Sequence, residues 1–143
     1  MTQSGGSIGF TVWGRKENTN YTTILGRVLA KYGIHPPKGA KTPFDISQDP
    51  EALAKEMRVL GFTDIRMWYQ ASNFQLQSAE DFLSSIINLP SVKQSHLFPD
   101  NDPVLAEKVK EDIKEEYRRV CAQEVLDPKV FEIMVIVARK AGD

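Results

Sequence analysis

Cysteine is all but missing from this chain. Cys121 is the only one, which excludes an intramolecular disulfide and any cysteine-built metal cluster. Histidine is nearly as scarce: His35 stands in a proline-rich loop and His96 in a polar one. Nothing between them has ligand spacing, and neither has a carboxylate placed to make it a general base, so no metal is expected and both read as exposed loop residues. An excess of either charge is also lacking. Eighteen Lys+Arg against nineteen Asp+Glu leave a net charge of −1, which supplies no footprint for nucleic acid or an acidic membrane. The longest apolar run, Ile133 to Ala138, is far short of a membrane span. The first six residues have neither the basic start nor the apolar stretch of a secretory signal. With no Gly-x-Ser-x-Gly turn and no Cys/His arrangement, an independent hydrolase is disfavoured. The 143 residues then imply one cytoplasmic α/β domain over 1–143.

What is present has a clear order. Ile8, Phe10 and Val12 alternate with Gly9, Thr11 and Trp13, which predicts a strand over Ser7–Trp13, entered from a Gly5-Gly6 turn. Ile24, Leu25, Val28, Leu29 and Tyr32 recur at helical spacing until Gly33 stops them. Pro36, Pro37, Gly39 and Pro43 then mark an irregular loop. Asp49 and Pro50 cap a second helix with Leu53, Met57 and Leu60 as its inward stripe, ended by Gly61. Ile65, Met67 and Tyr69 alternate with Arg66 and Trp68 in a second strand over 62–69. Ser78 to Asp81 forms a capping box ahead of Phe82, Leu83, Ile86 and Ile87. Asp102-Pro103 opens a long helix carrying Leu105, Val109, Ile113, Val120 and Cys121 inward, and Asp127-Pro128 turns the chain into a last strand over 130–139.

That last strand is apolar on both parities, interrupted only by Glu132. A strand of that composition is expected to lie inside a sheet and to be covered on both faces. The first two strands would flank it and run parallel to each other. The expectation is therefore an α/β fold with a three-stranded mixed sheet, the C-terminal strand central and antiparallel, and about four helices.

This order resembles the second half of a class I S-adenosylmethionine-dependent methyltransferase. The residues that carry the resemblance are the Gly5-Gly6 turn into an apolar strand, Gly61-Phe62-Thr-Asp-Ile65 entering the next, and the closing Phe131 to Lys140. In that family a Pro-Gly-Gly turn enters the fifth strand, a Gly-Phe pair enters the sixth, and the seventh runs antiparallel between them. Phe74-x-x-x-Ser78-Ala-Glu-Asp-Phe82 is similar to the segment that carries a helix over the substrate, so residues 78–124 would form a helical lid. Ser4 stands where the family has proline. The resemblance spans Gly5 to Lys140 and lacks the family's glycine loop and ribose-binding acid. Gly5, Gly6 and Gly9 lead into a strand rather than a helix, so S-adenosylmethionine is implied by the family while this chain alone supplies no cofactor-binding residue.

If the outer strands are parallel, Trp13 and Trp68 fall at one rim, where open α/β sheets bind ligands. The resemblance places substrate contacts there, and the candidates are Trp13, Arg15, Tyr21, Trp68, Tyr69, Phe74 and Phe82, with Asn18 and Asn20 beside Tyr21. Aromatic walls suit an apolar or flat substrate. The plainer reading of the same residues is rim packing and a helix cap. Methyl transfer needs chiefly alignment of nucleophile and sulfonium, and no catalytic residue is nominated.

The first strand raises a further expectation. Its outer edge has no partner in this sequence, and Ile8 to Trp13 contains neither proline nor charge to blunt it. Self-association through Ile8, Phe10 and Val12, or pairing with a separate chain, would cover that edge; a truncated fragment would show the same edge. Two functions follow: a substrate-recognition half of a small-molecule methyltransferase, inactive alone, or a non-catalytic regulatory module derived from one.

Overall fold

Alternating apolar residues make Ser7–Trp13 a strand, β1. A single 3-10 turn over Lys16–Asn18 leads to helix α1, Asn20–Lys31. A second 3-10 turn, Asp45–Gln48, precedes α2 at Pro50–Val59, which runs into strand β2 at Phe62–Asn73. Helices α3 (Ala79–Ile87), α4 (Pro90–Ser95) and α5 (Pro103–Ala122) follow, and strand β3 (Val130–Lys140) closes the chain. The structure, a computed structural model, describes residues 5–76, 78–123 and 129–142. Ser4 and the turn expected at Asp127-Pro128 lie outside the described residues.

Local chemistry sets most of the boundaries. The side chains of Asp49, Ser78 and Asp102 accept from the backbone N–H groups of Ala52, Asp81 and Leu105 at 2.9, 3.0 and 3.0 Å, the N-cap bond that starts a helix. At the end of α1, Gly33 at φ 71° donates to the Ala30 carbonyl and Ile34 to the Leu29 carbonyl. This pair of bonds closes the helix and requires a left-handed residue between them.

Contacts between Cα atoms divide the chain into two units. The sheet unit comprises residues 1–18, 41–72 and 131–143. Its sheet has the order β1-β3-β2, with the C-terminal strand in the centre. β1 and β3 pair antiparallel from Ser7 opposite Arg139 to Trp13 opposite Ile133. At the β2 side Ala141 donates to the Gly61 carbonyl, and Phe74 beyond the far end donates to Lys129, so this ladder is antiparallel too. The expectation of a mixed sheet is corrected: among the described residues no strand pair is parallel, because the outer strands each bond to β3 and not to one another. Asp64 at φ 48° inserts one residue between the inward Phe62 and Ile65, a bulge in the alternation. β2 also runs on to Asn73, past the expected end at Tyr69.

One face of this sheet carries the core of the unit. Met134, Ile136 and Ala138 of β3 are buried with Met57 of α2, and Ile8, Phe10, Val12, Leu53, Ile65, Met67 and Tyr69 pack around them. The other parity of β3 is not enclosed in the same way. Ile133 and Val135 are half-buried and Val137 is 38% exposed, so the expectation of cover on both faces is corrected. Apolar β-branched residues suit a pleated strand whether or not it is sealed, and their presence on a face does not prove its burial.

The helical unit comprises residues 19–40 and 73–130. Ile24 and Val28 of α1, Phe82 and Ile86 of α3, and Val109, Ile113 and Val120 of α5 are buried together, with Leu89 and Val92 at their margin. The α4 turn was not anticipated, so five α-helices are present among the described residues where about four were expected. Two stripe positions also differ. Leu60, expected inward on α2, is 64% exposed, because α2 ends at Val59 and the chain leaves the helical path there. Cys121, expected inward on α5, is exposed, while Glu116 and Tyr117 are buried in the same helix.

Candidate functional site

The sheet unit gathers chemically capable side chains where β1 ends and β3 begins. Gly14, just past β1, donates to the Glu132 carbonyl at 2.7 Å. The backbones approach so closely that a Cβ on Gly14 would lie 2.7 Å from the Glu132 Cγ and 2.9 Å from its carbonyl carbon and oxygen. Only glycine fits there without displacement. This contact brings the next residue, Arg15, onto the Glu132 side chain.

Glu132 is the centre of the cluster. Its Oε1 accepts from the Arg15 backbone N–H at 2.9 Å and from Arg15 Nε at 2.8 Å; its Oε2 accepts from Arg15 Nη2 and from Asn18 Nδ2, both at 2.8 Å. The two-pronged arginine pair has the geometry that makes such bonds strong. These side-chain bonds from Arg15, helped by the Arg15 backbone and Asn18, draw the buried carboxyl down to about 2 against the opposing effect of burial. A carboxylate that acidic, with four donors on it, is a poor proton acceptor near neutrality. Its chemistry is that of a clamp between β1 and β3.

Aromatic rings complete the rim. The Arg15 guanidinium carbon lies 4.3 Å from the Tyr69 ring centroid, within cation–π range. Tyr69 donates from its hydroxyl to the Ser47 carbonyl at 2.8 Å. Ser47 is buried, and its hydroxyl lies 2.6 Å from the Gly14 carbonyl and 2.9 Å from that of Phe44. Trp13 sits between Phe44 and Phe131, each centroid 5.8 Å away and tilted by 50° and 70°, in the oblique arrangement aromatic pairs favour.

Of the candidates named from sequence, Trp13, Arg15 and Tyr69 are therefore brought together within the sheet unit. Trp68 belongs to the same unit, but alternation points it away from Tyr69, and it is 45% exposed. Tyr21, Phe74 and Phe82 belong to the helical unit. Phe82 is fully buried and stacks on Tyr117 at 4.6 Å, a core position with no surface of its own. Phe74 packs at the margin of the same core. The side chain of Tyr21 is not described. Asn18 serves the Glu132 carboxylate, whereas Asn20 is the first residue of α1, whose N-cap is Thr19.

Sequence reasoning missed Glu132, Ser47 and Phe44 as members of the rim. One signal was available for Glu132: a lone charge inside an otherwise apolar strand must be paired if it is buried. Among the described residues no group of His, Cys, Asp and Glu is placed to hold a metal ion. The glycines at positive φ are Gly5, Gly33, Gly39 and Gly61. Gly33 and Gly61 follow helices α1 and α2, Gly5 precedes β1 and Gly39 lies in a loop. No helix among the described residues is long and apolar enough to cross a membrane.

Comparison with known proteins adds little. No family model matches the chain, and no curated protein matches it. A solved structure of a "putative methyltransferase" from Bacillus halodurans aligns with 97% of this chain at 15% identity and a TM-score of 0.35. The chain spans about half of that protein, 53% of its length. At that score the likeness assigns neither a fold family nor an activity.

Proposed function

We propose that this chain is the substrate-side part of an S-adenosylmethionine-dependent small-molecule methyltransferase, inactive by itself. The observation that carries the reading is the sheet order β1-β3-β2, with the last strand antiparallel between the other two. That is the arrangement implied by the sequence resemblance. The acceptor would meet the rim of Trp13, Arg15 and Tyr69, whose flat rings and guanidinium suit an aromatic or conjugated small molecule. Glu132 and Asn18 act there as positioning residues, holding Arg15 in place while the cofactor is supplied from outside this chain.

Amide chemical shifts of the purified chain test the reading, recorded with S-adenosylmethionine alone and with a panel of aromatic methyl acceptors. Acceptors are expected to move Trp13, Arg15 and Tyr69, and millimolar S-adenosylmethionine to move nothing. Binding of S-adenosylmethionine would overturn the assignment of the cofactor to another chain. Absence of any shift across the acceptor panel would overturn the substrate role.

A second reading is favoured by the rim itself, whose polar groups are taken up inside the protein: Arg15 donates to Glu132, Ser47 to the Gly14 carbonyl and Tyr69 to the Ser47 carbonyl. A non-catalytic module descended from such an enzyme would keep this internal clamp and present no acceptor site. Silence of the rim toward every acceptor, together with a stable complex through β1, is what that reading predicts.

A further inference from the structure

We propose that β1 pairs antiparallel with β1 of a second copy of this chain, about a two-fold axis at Phe10. The hydrogen-bond phase of the strand supports this. Gly14 donates to Glu132 at one end and Lys140 donates to Gly6 at the other. In an antiparallel ladder the bonded pairs recur every second residue. With the register of β1 on β3, residues 6, 8, 10, 12 and 14 thus bond inward. The N–H and C=O groups of Ser7, Gly9, Thr11 and Trp13 point to the opposite edge.

Among the described residues no strand lies on that edge, and Ser7, Gly9 and Thr11 are exposed. The four outward residues are symmetric about Phe10. A second β1 in the register Ser7 opposite Trp13 and Gly9 opposite Thr11 satisfies all four on both strands, four pairs of two bonds each. Sliding by two residues leaves one pair unmade, and sliding by one turns every side chain to the wrong face. The closed two-fold pairing is therefore the most complete one.

Side chains agree with this register. Phe10 meets its own copy at the axis as a non-bonded pair, the position where cross-strand side chains come closest. Ile8 falls opposite Val12, so the half-buried row of Ile8, Phe10 and Val12 continues across the junction. No residue from Ser7 to Trp13 is charged, so two copies approach without repulsion along a strand of roughly 24 Å. The occupant is a second copy because the edge is self-complementary in bond phase, side-chain pairing and charge alike.

The test is sedimentation and amide hydrogen exchange of the chain between about 10 µM and about 1 mM, a range suited to a small interface. A rise from monomer to dimer is expected. Exchange at Ser7, Gly9, Thr11 and Trp13 should slow at least about tenfold as dimer forms, while Phe10 and Val12 stay slow throughout. Thr11→Pro removes an outward donor and leaves the β3 ladder whole; it should abolish both effects while Phe10 and Val12 remain slow. A monomer at the highest concentration overturns the proposal and leaves the edge to a different polypeptide. A dimer whose outward amides still exchange fast, or outward amides already slow in the monomer, overturns it equally. Because the wild-type exchange pattern decides by itself, an unfolded Thr11→Pro protein would not rescue the idea.

Discussion

In the helical unit, apolar side chains from α1, α3 and α5 enclose one another, and Ile24, Val28, Phe82, Ile86, Val109 and Ile113 are sealed from solvent. Among the described residues of the sheet unit, Met57, Met134, Ile136 and Ala138 form a smaller buried cluster, with α2 against one face of three strands. The sheet unit compensates with directional bonds: the Gly14 contact, the Glu132 clamp and the Ser47 hydroxyl. The helical unit has its own buried carboxylate, Glu116, but places it on α5 beside Arg119 and Arg27, on the flank of a core that is already enclosed. A thin sheet thus relies on geometry where a helical bundle relies on area. Substitutions that remove volume should hurt the helical unit most, and those that remove fit or bonding should hurt the sheet.

The largest effect should follow from Phe82→Ala. Deleting a fully buried ring stacked on Tyr117 should cost about 3–5 kcal/mol. Hydrogen exchange should show amides of α1, α3 and α5 opening faster while Phe10 and Val12 in the β1–β3 ladder keep their protection. Equal acceleration in both places would dissolve the contrast and make the chain one cooperative block. Gly14→Ala comes next. The added methyl collides with Glu132 backbone atoms, which cannot swing aside as a flexible side chain would, and the expected loss is about 1–3 kcal/mol. Here the β1–β3 amides should open and the helical ones should not, as chemical denaturation followed residue by residue would reveal.

How far all this is legible from sequence depends on the range of the interaction. Strand β1 and the caps at Asp49, Ser78 and Asp102 could be read because alternation and N-cap bonds involve neighbours only a few residues apart. The central place of β3 could be read from its composition, though not the exposure of Val137, since an apolar side chain does not announce what covers it. Leu60 and Cys121 went astray at helix ends, where the last turn leaves the periodic path. The clamp was out of reach: Arg15 and Glu132 are 117 residues apart, and no local pattern joins them. Within the rim, Trp13, Arg15 and Tyr69 were nominated from their place at or next to predicted strand ends, whereas Ser47 and Phe44 come from a loop that reads as featureless.

Acid sharpens the comparison, because each unit holds one carboxyl at about 2: Glu132 through Arg15 and Glu116 first through Arg119. A carboxyl whose folded value lies below its ordinary 4.5 stabilises fully above that pH. The contribution fades as pH falls through about 2, since the unfolded chain takes up the proton first. Both units should therefore weaken between about pH 4.5 and pH 2. Glu132→Gln should lower stability by about 1–3 kcal/mol at neutral pH and flatten the acid dependence of the β1–β3 amides alone. Glu116→Gln should do the same for α1 and α5, by a smaller amount, because Glu116 is held by the side chains of Arg27 and Arg119, whereas Glu132 accepts from the Arg15 backbone and Asn18 as well. A Glu132→Gln protein whose sheet amides still weaken in the usual acid window would show that the clamp does not set the stability of the sheet.

Tyr69→Phe should give the smallest change and separates two roles of one residue. The substitution keeps the ring beneath Arg15 and deletes the hydroxyl that donates to the Ser47 carbonyl at 2.8 Å. One neutral hydrogen bond contributes about 0.5–1.5 kcal/mol, so thermal unfolding should shift by only a few degrees. If the ring is also a wall for a flat acceptor, acceptor-induced shifts at Trp13 and Arg15 should survive Tyr69→Phe and disappear in Tyr69→Ala. Loss of those shifts in both variants, at equal stability of the β1–β3 ladder, would place the hydroxyl rather than the ring against the ligand. Their persistence in Tyr69→Ala would remove Tyr69 from the site and leave it as packing for the loop that holds Ser47.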